Sequence, residues 1–141
     1  MKIYLDNSFL NRPFDDPFIG QHKLESEILS FIIGLAQQRK IALVHSSVIA
    51  YENSVNPISE RKMFVEDIMK MAAFYQGVDD PILDRAEEIT DNFSIKPLDA
   101  LHIAAAEAAR VEVFITCDHR LPKTYRGELS IMTPLDFLTH L

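Results

Sequence analysis

KPLDALHIAAAEAARVEVFITCDHRL, residues 96–121, decides the fold. Pro97 suits the first turn of a helix, where its missing N–H needs no partner, and the helix is predicted to run to about Arg110. Residues 111–116, VEVFIT, then carry apolar side chains at nearly every place, the pattern of a strand covered on both faces. Such strands belong to parallel sheets flanked by helices.

The rest of the chain repeats this alternation. Strands are predicted over 2–6, 41–46 and near 129–133. Between them, helices are predicted over 21–38, 48–55, 60–76 and 81–93, and PLDFLTHL at 134–141 makes a short terminal helix. Leu24, Ile28, Ile32 and Leu35 mark the apolar stripe of the first long helix. Ser46 and Ser47 are N-cap candidates, Pro57 ends the helix they open, Ser59 caps the next, and Gly77 closes that one. Single strands separated by helices give an α/β class: a central, mainly parallel sheet between helical layers, in one domain over 1–141.

The bulk composition narrows the function. A hydrophobic fraction of 48% over 141 residues fits one folded core. No apolar run reaches the roughly 20 residues needed to span a bilayer. The first residues enter a strand directly and lack signal-peptide organisation, so a cytoplasmic protein without a membrane partner is expected. The one cysteine, Cys117, cannot form an internal disulfide, in keeping with a reducing compartment. The net charge of −7 argues against a protein that coats duplex nucleic acid through phosphate contacts. It leaves room for a nuclease, because carboxylates that hold cations count as negative until the metal arrives.

Four carboxylates stand out by position. Asp6 ends the first strand and Asp118 follows the strand VFIT. In an open parallel sheet, sites form outside the carboxyl ends of the strands, so neighbouring strands would bring both aspartates to one crevice. Asp99 lies in the first turn of the helix behind Pro97, and Glu52 lies beside the apolar face of the helix over 48–55. Each also has a plain structural role: Asp6 as an N-cap, Asp99 on a helix dipole, Asp118 in a turn, Glu52 at the surface. Together, however, carboxylates around one crevice repel each other unless protons or cations neutralise them. Hard oxygen donors without a thiolate cluster favour Mg²⁺ or Mn²⁺, and that set suits phosphoryl chemistry on a polyanion.

Arg12 follows Asp6, and Arg120, Lys123 and Arg126 follow Asp118. Arg12 and Arg120 are candidates for holding substrate phosphate, although Arg12 could equally clasp Asp15 or Asp16. Asn7, Ser8 and Thr116 flank the aspartates as supporting groups. His102, three residues after Asp99, reads first as a packed or surface histidine. Cys117 reads as a small core residue, since no histidine partner activates it.

In this order, IYLDNS, SSVIAYE, KPLDALHIAAAEAARVEVFITCDHRL and IMTPLDFL resemble the PIN-domain family of metal-dependent ribonucleases. The resemblance spans the chain from end to end, and its C-terminal block is the most specific part. It implies a Rossmann-like three-layer α/β/α sandwich. It also implies an acidic quartet of Asp6, Glu52, Asp99 and Asp118 with Mg²⁺ or Mn²⁺ as cofactor, the three aspartates being the metal ligands. Many small members are toxins of the VapC-like type, so an antitoxin protein, a homodimer and an RNA substrate, single-stranded or structured, are the implied partners. The Arg12-Pro13 segment departs from the shorter loop of typical toxins.

Three functional readings follow. The first is an endoribonuclease. The second is an aspartyl-phosphate phosphatase, which ordinarily needs Asp-x-Asp at the first strand end, where this chain has Ser8. The third is a non-catalytic protein- or RNA-binding module of the same fold.

Overall fold

The computed structural model describes residues 1–141. Five strands form one sheet: β1 (Lys2–Leu5), β2 (Ala42–Ser46), β3 (Phe74–Gln76), β4 (Val113–Ile115) and β5 (Ser130–Met132), in the order β3-β2-β1-β4-β5. Every pairing is parallel, with Ile3 opposite Leu43 on one side and Val113 on the other. The eight helices are α1 (Asn7–Leu10), α2 (Gly20–Gln37), α3 (Ser47–Ser54), α4 (Ser59–Met69), α5 (Asp80–Phe93), α6 (Pro97–Ala108), α7 (Leu121–Thr124) and α8 (Pro134–His140). A parallel step needs a crossover, and crossovers are right-handed. The chain moves outward from β1 to β3 and then returns to β4, so α2 and the α5–α6 pair fall on opposite faces. The expected three-layer α/β/α fold is therefore the fold observed.

The central strands are apolar because nothing but protein covers them. Ile3, Tyr4, Leu5, Val113, Phe114 and Ile115 are at most 1% exposed. Tyr4 stacks on Phe114 across the β1–β4 pair at a centroid distance of 5.1 Å. Pro97 does open α6 as read from the sequence, and Ser46 caps α3 by accepting from the Ile49 N–H at 3.1 Å.

Four expectations fail locally. The helix predicted over 60–76 stops at Met69, and Phe74–Gln76 forms β3 on the sheet edge. Gly77 therefore follows a strand and caps no helix. Ser59 is the first residue of α4, whose N-cap is Ile58 without a side-chain bond. The buried stripe of α2 is Glu25, Ile28, Leu29 and Ile32, while Leu24 faces solvent. The stripe is rotated because a basic partner, described below, lets Glu25 turn inward.

Helix α5 ends on Ser94, which adopts φ 55° and ψ 42° and donates its N–H to Thr90 O. A left-handed conformation crowds a Cβ, and glycine relieves that crowding at some cost in unfolded-chain entropy. Ser94→Gly should raise stability by about 0.5–1 kcal/mol, seen in thermal melts as a gain of about 2–4 °C.

Candidate active site

The site lies where the strand order reverses, between β1 and β4. Strand β1 is flanked by β2 and β4, and the backbone leaving β1 is pinned to β4 by Asp6 N–H donating to Ile115 O at 2.9 Å. Asp6 follows directly and is 6% exposed. Its Oδ1 accepts from the Asn7 N–H at 2.8 Å, which starts α1, and its Oδ2 accepts from Thr116 Oγ1 at 2.7 Å and Ser8 Oγ at 3.0 Å. Those hydroxyls are held in turn: Thr116 Oγ1 accepts from Asp118 N–H at 3.0 Å and Ser8 Oγ from Cys117 N–H at 3.1 Å. Asp6 is thus a helix cap and a member of the site at once. Asn7, Ser8 and Thr116, the residues flanking the aspartates, are the ones that make these bonds to Asp6.

Glu52, on α3, reaches the same crevice. Its Oε1 lies 2.6 Å from His102 Nε2, and its Oε2 accepts from Asn7 Nδ2 at 2.9 Å. Burial alone would raise its pKa, but the bonds from His102 and Asn7 prevail and hold it below the ordinary glutamate value. Asp118 behaves alike: burial opposes ionisation, yet the Arg120 N–H and guanidinium bring its pKa below the ordinary one.

Asp99 goes the other way. Burial and then the charge of Asp6 raise its pKa, with Asp118 and Glu52 adding to the effect and His102 opposing it. All four acids line one polar crevice of about 370 Å³, with Arg12 and Arg61 on its wall. No three of the chain's His, Cys, Asp and Glu side chains are gathered closely enough to hold a metal ion as they stand. The donor chemistry nonetheless suits a hard divalent cation: the crevice offers carboxylate oxygens, and the raised Asp99 registers negative charge that a cation would offset.

The raised Asp99 fixes a pH dependence. A carboxyl whose folded pKa exceeds its unfolded value stabilises the fold while protonated and loses that contribution as pH rises through the folded pKa. Asp99→Asn never ionises. In thermal melts without metal, the variant should therefore be more stable than wild type at pH 7, despite losing a favourable charge in the first turn of α6. The difference should shrink as pH falls through the ordinary aspartate range.

The arginines divide. The Arg12 guanidinium bonds Glu25 Oε1 at 2.9 Å and Asp15 Oδ2 at 3.0 Å, so it clasps α2 and touches the crevice with what remains. Asp16, the other clasp partner considered, is not used. Arg120 is exposed and lies along Asp118 at 3.3 Å. Arg61 escaped the sequence reading. It comes from α4 to bond Asp15 Oδ1 at 3.2 Å and Phe14 O at 2.8 Å. Nothing in the spacing around Arg61 announces that contact. His102 is packed, as expected, at 0% exposure, but its ring also reaches Glu52.

A family profile described as PIN domain matches residues 3–127. The chain belongs to the PIN-domain family. Two solved structures share the PIN fold with it at low identity. VapBC2 from Rickettsia felis, bound to a DNA fragment from its promoter, matches with TM-score 0.60 and 14% identity over 94% of this chain and 98% of that one. PAE2754 from Pyrobaculum aerophilum matches with TM-score 0.54 and 15% identity over 99% and 94%. No curated protein sequence matches this PIN domain closely. No helix is long and apolar enough to cross a membrane.

Proposed function

We propose that this PIN domain is a metal-dependent endoribonuclease that hydrolyses RNA phosphodiester bonds. The observation that carries the reading is the convergence of Asp6, Glu52, Asp99 and Asp118 on one crevice at the carboxyl ends of β1 and β4. Asp6, Asp99 and Asp118 would hold Mg²⁺ or Mn²⁺. When bound, the cation supplies charge neutralisation and an acidic water.

The chain's own groups do the rest. Thr116 and Ser8 fix the direction of the Asp6 carboxylate, and His102 and Asn7 fix that of Glu52. Each Glu52 oxygen keeps a free lone pair, so one of them can take a proton from the attacking water. The water oxygen bonds phosphorus, the bond to the leaving oxygen breaks, and that oxygen is protonated from solvent. Arg61 and Arg120 stand at the rim, where a phosphate backbone would run.

The likeness to VapBC2 extends the proposal to biology: a toxin whose partner is an antitoxin protein, acting as a homodimer in the cytoplasm. The test is cleavage of a labelled RNA pool by the purified chain. Cleavage should require Mn²⁺ or Mg²⁺ and stop with EDTA. No cleavage, together with no heat of Mn²⁺ binding in calorimetry, would overturn the reading and leave the non-catalytic binding module.

A further inference from the structure

A line of buried hydrogen bonds runs behind the crevice and ends on Glu52. Ser46 Oγ accepts from the Ile49 N–H, so its own hydrogen is free for Tyr4 Oη, 2.7 Å away. Tyr4 Oη lies 2.7 Å from His102 Nδ1, and His102 Nε2 lies 2.6 Å from Glu52 Oε1. Ser46, Tyr4 and His102 are all 0% exposed. No water competes for these atoms, and each must find its partner within the line.

Only one polarity satisfies every atom of a neutral ring. With Ser46 donating to Tyr4, the tyrosine hydrogen points at Nδ1. Nδ1 is then an acceptor, the ring proton sits on Nε2, and Nε2 donates to the Glu52 carboxylate. The Tyr4 hydroxyl is fully buried with only Ser46 and His102 as partners, so its one hydrogen goes to the neighbour that does not donate to it. The reverse polarity would set the Nε2 lone pair against a carboxylate oxygen at hydrogen-bond distance, two acceptors facing each other.

We propose that His102 is a positioning residue: Tyr4 fixes its tautomer, and through Nε2–H it holds the Glu52 carboxylate at the wall of the crevice. The line joins β1, the β2–α3 corner and α6 to a side chain of α3. Asn7, from the helix Asp6 caps, takes the second Glu52 oxygen. Glu52 is therefore fixed at both oxygens relative to Asp6 before any substrate binds. The catalytic consequence rests on the nuclease reading; the tautomer does not.

The experiment has two arms. Long-range nitrogen–proton correlation NMR of the metal-free protein, with His102 assigned by its loss in a variant, reads the tautomer. A protonated Nε2 and a bare Nδ1 are expected, and Tyr4→Phe should move the signals toward a mixture of tautomers. A protonated Nδ1, alone or in an imidazolium, overturns the proposal whatever the enzyme does. The second arm compares His102→Gln with His102→Leu in RNA cleavage. Gln can donate from nearly the place of Nε2, whereas Leu cannot donate at all. Leu should lower kcat by about 10–100-fold, and Gln should restore most of it. Equal loss in two folded variants, or wild-type kcat in the Leu variant, overturns the positioning role. A wild-type protein that neither binds Mn²⁺ nor cleaves RNA overturns the nuclease reading while leaving the tautomer result intact.

Discussion

Asp6→Asn should reduce RNA cleavage by about three orders of magnitude or more, equivalent to about 4 kcal/mol of transition-state stabilisation, without unfolding the protein. The fold survives because asparagine can replace most of what Asp6 does structurally. Its Oδ1 can still accept from the Asn7 N–H, and Asn ranks with Asp as an N-cap. Its Nδ2 would face Thr116 Oγ1 and Ser8 Oγ, which now donate to Asp6. Each of those hydroxyls already accepts one backbone N–H and keeps a second lone pair, so both bonds can reverse without breaking. What asparagine cannot replace is the charge. One carboxylate leaves the crevice, and with it the largest single charge that raises Asp99. The metal-free variant should melt no lower than wild type at pH 7, and its Mn²⁺ affinity should fall sharply in calorimetry. Wild-type cleavage by the variant would remove Asp6 from the site.

Much of this crevice was legible because strand ends can be read from sequence. A run such as IYL closing on Asp6, or VFIT closing on Thr116 and Asp118, states both where a strand stops and which groups stand at its carboxyl end. Glu52 reads as lying beside an apolar face of Val48, Tyr51 and Val55, yet Tyr51 and Val55 are 61% and 62% exposed and the buried face of α3 is Val48, Ile49 and Asn53. The unread parts depend on partners distant in sequence. Glu25 sits one place from Leu24, and helical spacing alone put the leucine inside. The guanidinium of Arg12 reversed the choice by offering the carboxylate a buried counter-charge. The helix-versus-strand error at β3 has a different cause. Phe74 and Tyr75 are 45% and 62% exposed on a three-residue edge strand, which is too short to show an alternation, and no Pro or Gly separates it from α4. His102 had a readable burial but an unreadable partner, because Tyr4 lies 98 residues away and Glu52 lies 50 away.

Arg12→Leu should destabilise the protein by about 3–5 kcal/mol, a fall in Tm of about 10–15 °C. Glu25 is 3% exposed, and Arg12 Nε at 2.9 Å is its close cation. The His119 ring, at 3.8 Å from the other Glu25 oxygen, is itself half exposed. Removing the guanidinium would leave a buried carboxylate with no adequate counter-charge, which costs more than the lost bond itself. Asp15 would suffer less, since Arg61 also holds it. If stranded charge is the cause, the remedy is to remove the charge. The double variant Arg12→Met with Glu25→Leu should therefore recover most of the lost stability, because apolar groups of similar volume can replace a buried ion pair. The pair of variants also separates the two roles of Arg12. A double variant that melts near wild type and cleaves RNA with unchanged KM would make Arg12 a clasp between the loop after α1 and helix α2. A restored Tm with raised KM would show that the same guanidinium also meets substrate phosphate, since the fold would then be intact and only the charge on the crevice wall missing.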